Sequence, residues 1–128
     1  MDKYLFFIFI IFACSIHEGK SCFFYRRIHI SVVNKLPNNS LPLSVHCKSR
    51  NDDLGNHTLT QNQDYNFSFC VVPIFTLFKC NLVWGNKTSN VDVYDATWLV
   101  DPCIKGQCLY EVYEIGTYIN GERWGTWN

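Results

Sequence analysis

Apolar residues at alternate positions, in short runs broken by turns, constrain this chain more than any other feature of its sequence. Ile28, Ile30 and Val32 alternate with His29, Ser31 and Val33. Leu43, Val45 and Cys47 share one face against Ser44, His46 and Lys48. Tyr65, Phe67 and Phe69 alternate with Asn66 and Ser68, and Phe78, Cys80, Leu82 and Trp84 oppose Lys79 and Asn81. Val91 and Val93 continue the pattern, and Cys108, Tyr110 and Val112 oppose Glu111 and Tyr113. A period of two puts successive side chains on opposite faces of a strand, so each run has one apolar face. Pro37-Asn38-Asn39 and Gly85-Asn86-Lys87-Thr88 are turn signals. Asp52-Asp53-Leu54-Gly55 reads as a strand break closed by a glycine, with a short strand at Thr58-Leu59-Thr60. Trp98-Leu99-Val100 reads as a further strand or extended segment. No stretch keeps helical spacing for three turns. The expectation is all-β: a small antiparallel β-sandwich, its two apolar faces buried against each other and stabilised by disulfides.

The first residues form a separate unit. Lys3 is a short basic region, and Leu5 to Phe12 is uniformly apolar. About 10 apolar residues are too few to span a bilayer, which needs about 20. Small residues follow at Ala13, Ser15, Gly19 and Ser21. Residues 1–21 are therefore read as a secretory signal peptide cleaved somewhere between 15 and 21, and 22–128 as a single β-sandwich domain with a C-terminal tail. Secretion to the extracellular space is expected, with no stable membrane insertion.

Seven cysteines occur in the 128 residues, and Cys14 leaves with the leader. Cys22, Cys47, Cys70, Cys80, Cys103 and Cys108 remain. An even count in a small secreted domain reads as a disulfide framework, with the pairing open on spacing alone. Zinc would want tighter cysteine pairs and a reducing compartment, so no metal is expected. Four glycosylation sequons begin at Asn38, Asn56, Asn66 and Asn86. Asn38, Asn56 and Asn86 are expected in loops and Asn66 on a strand. Eleven basic and eleven acidic residues balance, which gives no electrostatic case for nucleic acid or an anionic membrane.

No catalytic constellation stands out. His46 and Cys47 are strand neighbours, so their side chains diverge and cannot form a nucleophile and base. Asp52 and Asp53 lack the further oxygen ligands of a calcium loop and read as a turn in which a carboxylate caps backbone N–H groups. His29, His46 and His57 could serve as acid and base in a small nuclease, but no lysine constellation or basic groove accompanies them. Trp124 and Trp127 read as a tail folded back onto the domain through a turn at Asn120-Gly121. No cofactor is expected, and the chain is read as a monomer.

Five blocks in order carry a family resemblance. They are His46 to Gly55; Tyr65 to Phe69; Thr76-Leu77-Phe78-Lys79-Cys80-Asn81-Leu82-Val83-Trp84; Cys103 and Cys108; and Glu114-Ile115-Gly116-Thr117-Tyr118. The pattern, spanning about Ile28 to Tyr118, resembles the plant self-incompatibility protein family, also called S-protein homologues. Lys79 departs from it where tryptophan is frequent, and Tyr110 and Phe67 replace tryptophan with another aromatic. The resemblance implies a small secreted plant protein with a β-sandwich held by two disulfides, and no enzymatic activity. Founding members act as stigma-side ligands that halt self pollen through a receptor on the pollen tube, so a cell-surface receptor is the implied partner. A glycan- or wall-binding module built on Tyr and Trp faces is the alternative.

For the four cysteines shared with the family, Cys47–Cys108 and Cys80–Cys103 are favoured, with a local Cys103–Cys108 staple as the competitor. Cys22 and Cys70 are additional and available for a third bridge. The 86–90 and 101–107 segments are taken as receptor-contact loops, with Lys87 and Lys105 tuning specificity.

Overall fold

The structure, a computed structural model, describes residues 22–128. The expected leader, 1–21, lies outside the described residues. Nine strands follow one another: β1 (Arg27–Asn34), β2 (Leu43–Lys48), β3 (Asp53–Leu59), β4 (Asp64–Cys70), β5 (Leu77–Trp84), β6 (Lys87–Asp95), β7 (Gln107–Tyr113), β8 (Gly116–Ile119) and β9 (Glu122–Gly125). They form two sheets, one in the order β4-β1-β7-β8-β9 and the other β3-β2-β5-β6. All pairings are antiparallel except β1 with β7, which run parallel with Ile30 opposite Cys108 and Val32 opposite Tyr110. A parallel pair needs a long crossover, and here the whole of the other sheet, together with β4, is inserted between the two strands.

The alternating residues meet between the sheets. Ile28, Ile30 and Val32 of β1 and Cys108, Tyr110 and Val112 of β7 face Leu43, Val45, Cys80, Leu82, Val91 and Val93, all buried. The intervening His29, Ser44 and Asn81 remain partly or fully exposed. Burial of this apolar set supplies the main folding force.

Tyr110 ties the two sheets together. The β5–β6 ladder shifts register between Phe78 and Lys79, and Val93 has no partner residue in it. The buried Tyr110 hydroxyl crosses from β7 and donates to the Val93 carbonyl at 2.7 Å. A bulge displaces a carbonyl from the ladder, and a core tyrosine satisfies it. Burial pushes the Tyr110 phenol well above its ordinary value, and the charges of Asp101 and Asp92 push the same way. In an unfolded chain tyrosine ionises near pH 10. The stability due to the neutral buried phenol is therefore fully present below about pH 10 and falls above it, because only the unfolded state then releases the proton. Wild-type unfolding free energy should decline above pH 10 by up to about 1.4 kcal/mol per pH unit from this group. Tyr110→Phe should be about 1–2 kcal/mol less stable at pH 7 and lose that part of the alkaline slope. Urea titrations from pH 7 to 11 on both proteins measure both effects.

Three disulfides are present: Cys22–Cys70, Cys47–Cys80 and Cys103–Cys108. The pairing favoured for the four shared cysteines, Cys47–Cys108 with Cys80–Cys103, is corrected. β2 and β5 are neighbours, and their register sets Cys47 directly opposite Cys80 on the buried face. Cys108 lies in the other sheet. The chain between Cys103 and Cys108 turns back on itself through paired hydrogen bonds between Ile104 and Gln107, which brings those two cysteines together. Cys22–Cys70 pins the N-terminal arm to the end of β4.

Local expectations also shift. Asp53-Leu54-Gly55 does not break the chain out of the sheet: β3 begins at Asp53 and runs to Leu59, so the short 58–60 strand is the end of a longer one. The ladder accommodates it by a register shift between His46 and Lys48, with Gly55 at a φ of 83°. Asn56 consequently stands on a strand and not in a loop. Trp98-Leu99-Val100 is not a strand, because Asp95 caps a turn there: its carboxylate accepts from the Thr97 N–H and hydroxyl. The tail adds a strand, β9, against β8. Asn120 and Gly121, with φ of 46° and 87°, make the turn between β8 and β9, the pair of left-handed residues that a tight hairpin of this hand requires.

Candidate functional site

Topology gathers four connections at one end of the sandwich. They are the N-terminal arm 22–26, the 49–52 turn after β2, the 71–76 loop after β4 and the 96–106 segment before β7. The first, third and fourth are joined to one another. Cys22 is bonded to Cys70, the Val71 N–H donates to the Arg26 carbonyl, and the Ala96 N–H donates to the Thr76 carbonyl. Arg26 pairs with Asp101 at 3.0 Å.

This end is unusually apolar. Thirteen large hydrophobic residues are exposed among the described residues, and nine of them belong to these four connections. Leu99 is fully exposed, Phe24 is 90% and Val100 82% exposed, and Phe23, Ile74 and Phe75 are each about two-thirds exposed. Single exposed hydrophobes are ordinary, but a cluster at one end marks an interaction surface.

The loops that carry these residues are firmly built. In the 71–76 loop the Thr76 hydroxyl accepts from the Val72 N–H, and the Phe75 and Thr76 N–H groups donate to the Val72 carbonyl. Between them Ile74 adopts a φ of 74°. For a β-branched residue this left-handed conformation is costly, and such outliers cluster at functional positions. In the 96–106 segment, Asp95 holds the Thr97 turn, which keeps its carboxyl below the ordinary value. Trp98 packs between Tyr94 and Trp124, and Asp101 caps the Cys103 N–H. Leu99 and Val100 are displayed on a fixed turn.

A cleft of about 370 Å³ opens at this end between the 49–52 turn and the 71–76 loop. Ser49, Arg50, Asn51 and Asp52 line one wall, and Phe69, Val72, Phe75 and Phe78 are among those lining the other.

Residues singled out from sequence are placed as follows. Lys105 sits at a φ of 51° in the loop closed by Cys103–Cys108, at the border of the apolar end. Lys87 is at the opposite end. It opens β6, so most of the 86–90 segment is strand, and its ammonium lies 5.3 Å from the Trp84 ring centroid.

The four sequon asparagines are exposed. Asn38 and Asn86 belong to connections at the end opposite the apolar loops, whereas Asn56 and Asn66 stand on β3 and β4. None lies in the four apolar connections.

The histidines are dispersed. His46 contacts Asp53 at 2.6 Å on the outer face, and this bond and the Gly55 N–H hold the Asp53 carboxyl below its ordinary value. His57 stacks on Tyr65 at 3.9 Å, and His29 is in the other sheet. No cluster of potential metal ligands occurs among the described residues. Trp124 and Trp127 are folded onto the domain, their indole N–H groups donating to the carbonyls of Asp92 and Tyr113.

Alternation points to buried faces and is silent about where loops converge, so the apolar end escaped sequence reasoning. One signal was available: Phe23-Phe24-Tyr25, Val72-Pro73-Ile74-Phe75 and Leu99-Val100 are apolar but lie outside the alternating runs.

Comparison with known proteins gives a consistent result. Residues 29–127 match the family model of plant self-incompatibility protein S1, so the match includes the tail that lay past the motifs seen in sequence. S-protein homolog 5 of Arabidopsis thaliana is 34% identical over 110 residues, covering 84% of this chain and 80% of the relative. Self-incompatibility protein S1 of Papaver rhoeas is 30% identical over 112 residues, covering 86% and 80%. A solved SPH (self-incompatibility protein homologue) structure, from what is described as a widespread family of small, highly stable, secreted plant proteins, superposes with a TM-score of 0.66 at 17% identity, over 82% of this chain and 97% of that one.

Proposed function

This chain belongs to the plant self-incompatibility protein S1 family, a group of small secreted plant proteins, and from that premise we propose that it is a protein ligand that binds a cell-surface receptor. Its work is recognition without chemistry. The disulfide-stapled sandwich is a rigid support, and the apolar loop end is the contact surface. The observation that carries this reading is the concentration of nine exposed hydrophobic residues on three linked connections, none of which carries a sequon. Exposed apolar side chains on a pre-organised surface contribute most to affinity, because little entropy is lost on docking. Of the two loops singled out from sequence, 101–107 borders this end and 86–90 does not.

The test is binding of refolded, labelled protein to intact plant cells of several tissues, competed with unlabelled protein. Saturable, protease-sensitive binding to one cell type is expected. Leu99→Ser with Val100→Ser should weaken it by at least about tenfold, as loss of exposed anchors does, while Lys87→Ser should leave it unchanged. Binding that survives protease but is lost on glycosidase treatment would replace this reading with a glycan- or wall-binding module.

A further inference from the structure

We propose that the cleft beside Phe75 is the anchor point of this surface, and that it receives an extended segment of the receptor carrying an apolar side chain next to a carboxylate. The inference rests on the receptor-ligand reading and specifies its chemistry. The aromatic wall of Phe69, Phe75 and Phe78 offers a docking face for an apolar side chain. Phe69 and Phe78 stack on each other at 4.2 Å and are fixed, while Phe75 stands two-thirds exposed at the mouth. The Phe75 N–H donates to the Val72 carbonyl and so fixes the backbone beside the left-handed Ile74.

Charge decides what accompanies the apolar group. Most carboxylates of this end already have partners within the molecule. Asp53 is held by His46 and the Gly55 N–H, Asp95 by Thr97, and Asp101 by Arg26 and the Cys103 N–H. Arg50 is exposed on the opposite wall of the cleft, and no carboxylate among the described residues lies within ion-pair distance of it. Its charge reaches Asp95 only beyond ion-pair distance, so the guanidinium facing the aromatic wall complements a carboxylate, which it can grip through two parallel hydrogen bonds. Asp52 lines the same wall, so the site also has an acceptor suited to a backbone N–H of the incoming segment. An extended peptide can offer Arg50 a carboxylate and Asp52 a backbone N–H in one place, so an acidic peptide segment is the favoured occupant.

Two measurements test this. In the cell-binding assay, Arg50→Gln and Phe75→Ser should each reduce affinity by at least about tenfold with an unchanged unfolding midpoint, because both side chains are exposed. In the second, a random peptide library is selected on the folded protein. Enriched peptides should pair an aromatic or aliphatic residue with Asp or Glu, and should lose binding to Arg50→Gln. If wild type binds cells and both variants bind equally well, the cleft assignment is wrong and the receptor reading stands. If wild type shows no saturable binding, the receptor reading fails, and the peptide selection alone judges the cleft. No enrichment, or peptides indifferent to Arg50→Gln, overturns it. Binding to phosphatidylcholine vesicles containing anionic lipid that Leu99→Ser abolishes and Arg50→Gln does not would also overturn it, reassigning the end to a membrane.

Discussion

Replacing Cys47 and Cys80 together with alanine is expected to lower the unfolding free energy by about 3–4 kcal/mol. The bridge closes a loop of 33 residues between adjacent central strands, and the chain-entropy relation for a loop of that size gives a value in this range. Both residues are also buried, at 0% and 1% exposure, so the variant loses packing contacts as well. The double change is the clean experiment, since a single substitution leaves one free thiol in the core. Removing Cys103 and Cys108 should cost less, about 2 kcal/mol, because that bridge spans only five positions. Guanidinium unfolding of the two double variants measures the difference. The Cys47–Cys108 pairing predicts another result: each double variant would disrupt both bridges and the two would be similarly unstable. A peptide map of the unreduced protein should recover Cys47 linked to Cys80.

Gly116→Ala is expected to destabilise the protein by about 3 kcal/mol or more, the range in which steric overlap and backbone strain combine. Gly116 opens β8 with a φ of 142°, and a Cβ built on it would lie 2.3 Å from the Gly125 carbonyl oxygen. That oxygen is backbone in the adjacent strand β9 and cannot rotate away. The expected relief is separation of β9 from β8, which would strip the tail from the sandwich. Trp127, whose indole N–H bonds the Tyr113 carbonyl and whose ring packs on Trp84, would then reach solvent. A red shift in tryptophan emission, with a lower unfolding midpoint, is the expected signature. Gly121→Ala is the control. Its φ of 87° is also unfavourable for alanine, but a Cβ there meets nothing within 4 Å, so only a backbone cost of about 1 kcal/mol should appear. Equal effects at the two positions would show that close packing against β9 is not what requires Gly116.

The sequence by itself determined which residues face the core and which fold class results. Ile28, Ile30 and Val32, or Cys108, Tyr110 and Val112, can be placed on one face by counting in twos, and each is buried. Periodicity is a local property, so it survives the absence of any knowledge of neighbours. The turn at Asn120-Gly121 was legible for the same reason: the residues that tolerate left-handed φ are few. Family membership was also legible, because five short motifs stand in order along the chain, the last of them, Glu114 to Tyr118, containing Gly116.

Only the tertiary structure decided which strands lie side by side. Cys47 meets Cys80 because β2 and β5 are neighbours in register, and nothing local in either strand states that adjacency. The same holds for Tyr110, whose hydroxyl partner is a carbonyl freed by a bulge in the other sheet. It holds most of all for the candidate surface. Phe24, Phe75 and Leu99 are far apart in the chain and unremarkable singly. They share one end because the strands preceding or following them run in directions set by long-range pairing, and loop convergence is a consequence of topology that no local pattern encodes.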